Sequence, residues 1–240
     1  MKMNFSVGMG RKLNAAEAAT HARVAEECGF SHLTWVDQPN LSRDIYVCLT
    51  AAALSTHRIQ LGQGVTDPLT YHPAVIANAT ATLNELTGGR TFLGLGAGGP
   101  FGKVMKPLPV AEVREAVRFI RGYMAGQEVE WKGARMHSEW SRKPVPVYLA
   151  VDGPRACRLA GEVADGAIFL GIHPEVARWR IELIHEGARA AGRDPAEIDI
   201  WARCMVYVSD TKEAAHREKD RDSLPRLRAF REYLRTKQGN

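Results

Sequence analysis

The chain has 240 residues, 45% of them hydrophobic and 25% charged, with a formal net charge of +5, the profile of a globular protein able to bury a sizeable core. No apolar run approaches the roughly 20 residues of a membrane helix, and the opening Met1–Val7 stretch carries no signal-peptide core, so a cytoplasmic protein with no membrane partner is expected. Basic residues are dispersed; 209–240 holds nine Lys or Arg against six Asp or Glu, which reads as a solvated helix face and not as a nucleic-acid surface, while an anionic small molecule remains compatible.

Short apolar runs alternate with helical patterns from the start, as βα units do. Asn4 to Met9 reads as a strand. Asn14 then caps a helix, with Glu17 three residues on and Gly29 as its stop. Leu33 to Val36 is a second strand, and Asp44 opens a helix through Leu54. Arg58 to Val65 is a third strand. Pro73 suits the first turn of the next helix, whose stripe Ile76, Ala79, Leu83 and Leu86 ends at Gly88-Gly89.

Thr91 to Leu95 is a fourth strand, followed by a glycine-rich loop and by a helix presenting Val113, Val117, Ile120 and Met124. Between Gln127 and Ser138 the alternation predicts a small hairpin. Val147 to Ala150, Pro154 to Val163, Ala167 to Leu170 and Pro174 to Ala191 continue as strand, helix, strand and helix. The alternation Ile198, Ile200, Ala202, Cys204, Val206, Val208 gives a seventh strand of the main series. Asp210 with Glu213 reads as the cap of a last, charged helix over 211–240. No linker or composition break divides the chain, so one domain over 1–240 is expected. Seven βα units fit either an open doubly wound sheet or a closed barrel, and an eighth strand is not found.

Several stretches could carry chemistry. Gly94-Leu95-Gly96-Ala97-Gly98-Gly99 has the G-x-G-x-x-G spelling of a dinucleotide loop, but no helix opens directly after it; a loop that lets a flat ligand approach the backbone is the stronger reading. Asp152-Gly153-Pro154-Arg155 follows a strand and opens a helix, a place where free amides attract phosphate, with Arg155 at hand as a cation. Asp37 stands at the carboxyl end of the second strand, where parallel sheets bind ligands. "LGQGVTDPLTYHP" ends the third strand with two glycines around a polar group, Thr66, Asp67, Thr70 and His72. The four cysteines have no metal-ligand spacing and read as small core residues, and no metal site is expected.

Taken together, "GFSHLTWVDQ", "IQLGQGVTDPLTYHPAVIANATATLNELTGGRTFLGLGAG", "REAVRFIRGYMAGQEVEWKG", "PVYLAVDGPRACRLAGEVADGAI" and "EGARAAGRDPAEIDI" resemble the bacterial luciferase-like superfamily of flavin and deazaflavin oxidoreductases. They look closest to its coenzyme F420-dependent, methylenetetrahydromethanopterin reductase-like branch. The resemblance implies a TIM-type (β/α)8 barrel, here shortened at the C-terminal end, with the cofactor at the carboxyl ends of the strands. It implies coenzyme F420, with FMN as the alternative, a small-molecule substrate and a homodimer.

The resemblance also assigns residues. In such proteins the third strand ends in a bulge with a non-prolyl cis peptide, which here falls at Gly64-Val65 behind the ring. Thr66 and Asp67 would lie beside the ring's polar edge, Asp37 near its face, Gly96, Ala97 and Gly98 under it, and Val151, Asp152, Gly153, Pro154 and Arg155 at the phosphate. Asp37, Asp67 and His72 are the candidate catalytic residues. The implied reaction is hydride transfer between reduced deazaflavin and a small organic substrate; an FMN monooxygenase or a non-catalytic flavin-binding protein is the alternative. Gly8 and Gly99 replace carboxylates of the reductase branch, and Gln38 replaces a common histidine, so the resemblance extends to the cofactor and not to the pterin substrate.

Overall fold

The computed structural model describes residues 3–10, 12–98, 106–171 and 173–217. One compact unit ends at Ala202 and a second begins at Arg203. The first unit alternates strand and helix: β1 (Ser6–Gly8), α1 (Ala15–Glu27), β2 (His32–Trp35), α2 (Ile45–Leu54), β3 (Gln60–Gln63), α3 (Pro73–Leu86), β4 (Thr91–Leu95) and α4 (Val110–Met124). The hairpin β5 (Val129–Trp131) and β6 (Ala134–Met136) interrupts the series. It resumes with β7 (Val147–Ala150), α5 (Pro154–Val163), β8 (Gly166–Leu170), α6 (Pro174–Ala190) and β9 (Asp199–Arg203), whose last residue opens the second unit. The main sheet has seven strands in the order β1-β2-β3-β4-β7-β8-β9, and every pairing from β1 to β8 is parallel.

The helix boundaries follow local chemistry. Asn14 and Glu17 form a reciprocal capping box at the start of α1, and Gly29 takes a φ of 83° just past its end, where a side chain would be strained. Asp44 Oδ1 accepts from the Val47 amide and starts α2. Glu26 reaches from α1 to accept the amides of His57, Arg58 and Ile59. Those three residues therefore satisfy their donors outside the ladder, and β3 begins at Gln60, later than the expected Arg58.

Alternation along the strands separates two environments. Leu33, Trp35 and Leu61 pack outward with residues of α1 and α2, and Leu93, Leu95, Val147, Leu149, Ala167 and Phe169 pack outward with α4, α5 and α6. Inward positions carry His32, Phe92, Tyr148, Ile168 and Trp201. His32 on β2 touches Trp201 on β9 with ring centroids 4.8 Å apart, although four strands lie between β2 and β9 in the sheet. The sheet is therefore curled into a barrel wall, and the open doubly wound alternative is excluded. No eighth strand of this wall occurs among the described residues.

Three expectations change. The strand expected over Ile198–Val208 stops at Arg203; Val206 and Val208 keep their alternation but are 75% and 89% exposed, without a ladder. The cap of the last helical segment is Thr211 and not Asp210, since Thr211 Oγ1 accepts from the Ala214 amide. Residues 212–217 are helical, and the remainder of the expected helix, 218–240, lies outside the described residues. Cys48 and Cys157 are buried as expected, whereas Cys28 and Cys204 are exposed.

Candidate active site at the strand carboxyl ends

Asp37 lies two residues beyond β2 and is 2% exposed. Thr66, three residues beyond β3 and fully buried, donates its hydroxyl to Asp37 Oδ2 at 2.6 Å. Burial pushes the Asp37 carboxyl up to about 6; the Thr66 hydrogen bond opposes this, and the nearby Asp67 and Asp44 charges reinforce it. A carboxyl held near neutrality can act as an acid or a base at physiological pH. The Tyr46 hydroxyl is buried beside Thr66, and burial, followed by the Asp37 charge, drives its pKa far above the usual phenol value.

The Gly64-Val65 peptide bond is cis, at the position the resemblance indicated. Pairing with the next strand continues beyond it. The Thr66 amide donates to the Gly94 carbonyl at 3.0 Å and the Gly96 amide to the Thr66 carbonyl at 2.8 Å. This packing excludes side chains. A Cβ on Gly64 would sit 2.4 Å from Thr34 Cβ, and one on Gly94 would sit 2.2 Å from the Gln63 carbonyl oxygen. Gly98 combines a φ of 90° with Leu69 at 2.6 Å from any added Cβ. Val65, Thr66 and Gly96 thus come together near Asp37, whereas Ala97, expected under the ring, packs outward with the cluster that holds Val113 and Leu149.

Asp67 is 3% exposed, and its Oδ1 accepts the Leu69 and Thr70 amides at 3.0 and 2.9 Å and the Thr70 hydroxyl at 3.1 Å. That oxygen is committed to the loop. His72 does not join Asp37 and Asp67: it caps α3, with Nδ1 accepting from the Ala74 amide at 3.1 Å, and its ring lies near Phe119 and Trp131. Its position directly before Pro73 makes it the N-cap residue, where a side-chain acceptor can serve the free amide of the second helical residue, Ala74.

At the other side of the mouth, Val151 is buried, Asp152 and Arg155 are exposed, and Gly153 is the N-cap of α5 with no side-chain cap and open space where a Cβ would be. Pro154 is the first helical residue. The sequence reading missed Arg180 of α6, whose side chain is 3% exposed and paired with Asp152; a single arginine in an amphipathic helix gives no signal of being turned inward. A hollow of about 690 Å³ lined by Arg118, Arg121, Pro146, Glu162 and Asp165 lies at the amino end of β7, remote from these residues.

A sequence profile described as luciferase-like monooxygenase matches residues 3–238. The chain belongs to the luciferase-like monooxygenase family. It is 37% identical over 224 residues to a 5,10-methylenetetrahydromethanopterin reductase of Methanolobus tindarius, covering 88% of this chain and 68% of that one. Among solved structures it resembles the coenzyme F420-dependent tetrahydromethanopterin reductase of Methanopyrus kandleri (TM-score 0.80, 28% identity, 90% of this chain and 69% of that one). It also resembles a monooxygenase of Streptomyces bottropensis (TM-score 0.75, 25% identity, 96% and 79%). The chain thus spans about two thirds of the length of the two reductases. These comparisons place it on the TIM-barrel architecture of luciferase-like enzymes.

Proposed function

We propose that this chain is a coenzyme F420-dependent oxidoreductase that exchanges hydride between the deazaflavin and a small organic substrate. The observation that carries the reading is the buried Asp37–Thr66 pair, which joins the carboxyl ends of β2 and β3 next to the glycine-rich end of β4. The similarity to a reductase named for coenzyme F420 supports the cofactor. Bound there, the deazaflavin supplies the hydride chemistry.

The protein's own residues supply the rest. Val65 and the Gly96–Gly98 segment back the ring, and Thr66 and Asp67 meet its polar edge. Asp37, held at 2.6 Å by Thr66 and with its carboxyl near neutrality, holds or gives up a proton on the substrate side. Val151 to Arg155 receive the phosphate through the uncapped start of α5. His72 is left to its structural place.

The second reading, an FMN monooxygenase, draws on the similarity to the Streptomyces enzyme. A non-catalytic flavin-binding protein is the third. A cytoplasmic homodimer fits the exposed apolar residues Val24, Val47, Leu54, Val75 and Leu86 on α1, α2 and α3, and no described helix is long and apolar enough to cross a membrane. The test is titration of the purified protein with coenzyme F420 and with FMN, followed by ring fluorescence. Saturable F420 binding with turnover is expected; FMN binding with oxygen consumption selects the second reading, binding without turnover the third, and saturation by neither overturns all three.

A further inference from the structure

Arg180 is an unusual charge to bury. Its guanidinium donates through Nη1 to the Leu170 carbonyl at 2.8 Å, through Nε to the Asp152 carbonyl at 3.3 Å and through Nη2 to Asp152 Oδ1 at 3.2 Å. Its guanidinium carbon lies over the Phe169 ring, 5.6 Å from the centroid. Two of these bonds end on the turn between β7 and α5, and the third on the last residue of β8. One planar fork therefore ties together two neighbouring strand ends at the mouth, a geometry that lysine cannot reproduce with a single ammonium.

The partner of this charge is unevenly placed. The Asp152 side chain is 70% exposed while that of Arg180 is 3% exposed. The carboxylate thus stands in solvent beside the uncapped amides of α5, and the cation that compensates it is buried beneath the turn. An anion arriving at those amides meets repulsion from Asp152 and attraction from Arg180, and the balance depends on where the turn is held.

We propose that Arg180 is a positioning residue for phosphate recognition: through Asp152 and Leu170 it fixes the β7–α5 turn in the form that accepts a ligand's phosphate, while Asp152 weakens that acceptance. This inference rests on the reading of residues 151–155 as the phosphate turn. It concerns the phosphate-bearing part of the ligand and leaves ring binding to the Asp37 side of the mouth. Arg155, exposed on the first turn of α5, is on this account a secondary contributor.

The test compares affinities by fluorescence titration for coenzyme F420 against its phosphate-free deazariboflavin core, and for FMN against riboflavin. In the wild type the phosphate-bearing member of a pair binds more tightly. Arg180→Met is expected to lower that preference about tenfold while affinity for the phosphate-free member holds. Asp152→Asn keeps an acceptor for Nη2 and removes the charge, and is expected to raise the preference several-fold; it provides the reading if Arg180→Met does not fold. Equal loss of affinity for both members in Arg180→Met, an unchanged preference in Asp152→Asn, or a wild type that binds the ring without preferring phosphate would each overturn the inference while leaving the proposed function standing. A wild type that binds no member of either pair overturns both.

Discussion

Thr66 donates to Asp37 across 2.6 Å, joining the ends of β2 and β3 inside the mouth. The bond keeps a buried carboxyl pointed at one place and offsets part of the effect of its burial.

The pH dependence of stability follows from that burial. The folded-state pKa of Asp37, about 6, lies above the value near 3.9 of an unfolded aspartate. The native state therefore holds the proton more tightly, so the favourable contribution is complete below about pH 4 and is lost as the pH rises through about 6. Asp37→Asn removes the ionisation and keeps an acceptor for Thr66. At about pH 7.5 the variant should be more stable than wild type, by no more than about 3 kcal/mol at roughly 1.4 kcal/mol per pH unit, and near pH 4 the difference should vanish. Urea unfolding at the two pH values decides this. The same variant should lose most turnover.

Glu26 behaves oppositely. Burial tends to raise its pKa, but three backbone amides and Arg58 outweigh it, and the carboxyl lies below its ordinary value. Its contribution is present above the unfolded pKa and is lost as the pH falls through the lowered one. Glu26→Ala should cost about 1 kcal/mol at neutral pH, because it leaves the amide of buried Ile59 without its acceptor, while the exposed His57 and Arg58 turn to water. The gap from wild type should narrow in acid, and chemical denaturation at neutral pH and near pH 3 measures it.

Gly64 is held to glycine by Thr34. With the would-be Cβ at 2.4 Å from Thr34 Cβ and 2.9 Å from its Oγ1, no rotamer of Thr34 relieves the collision. Gly64→Ala should cost about 1–3 kcal/mol by overpacking and weaken ring binding more than tenfold, whereas Gly153→Ala, with open space around it, should leave stability within about 0.5 kcal/mol. Thermal melts and cofactor titration compare the pair.

His72 separates a cap from a catalyst. His72→Asn retains a capping acceptor and should keep turnover within about twofold, while His72→Ala should lose about 1 kcal/mol of stability. A large fall in kcat for the Asn variant at unchanged stability would return His72 to the catalytic group.

Much of this architecture is legible in the sequence because local rules and global fold agree. Asn14 with Glu17, Asp44, Pro73 and Pro154 each mark a helix start that the structure uses, and the β4 and β7 boundaries coincide with their apolar runs. The failures have physical causes. Alternation in 204–208 continued, but a strand is made by its neighbour's ladder and not by its own pattern. His72 reads as a site residue from its polar cluster, while the capping role of its Nδ1 depends on the folded start of α3 and is not legible in that cluster. Arg180 was missed because its importance comes from Asp152 and Leu170, whose proximity only the folded chain creates. Trp201 likewise becomes an interior residue only because the sheet curls back to His32.

That contact has a consequence for tolerance to change. His32, Phe92, Tyr148 and Trp201 come from β2, β4, β7 and β9 and meet as one group of rings among the described residues. Trimming any one of them would loosen the seating of strands far apart in the chain, so four distant positions answer to a single constraint.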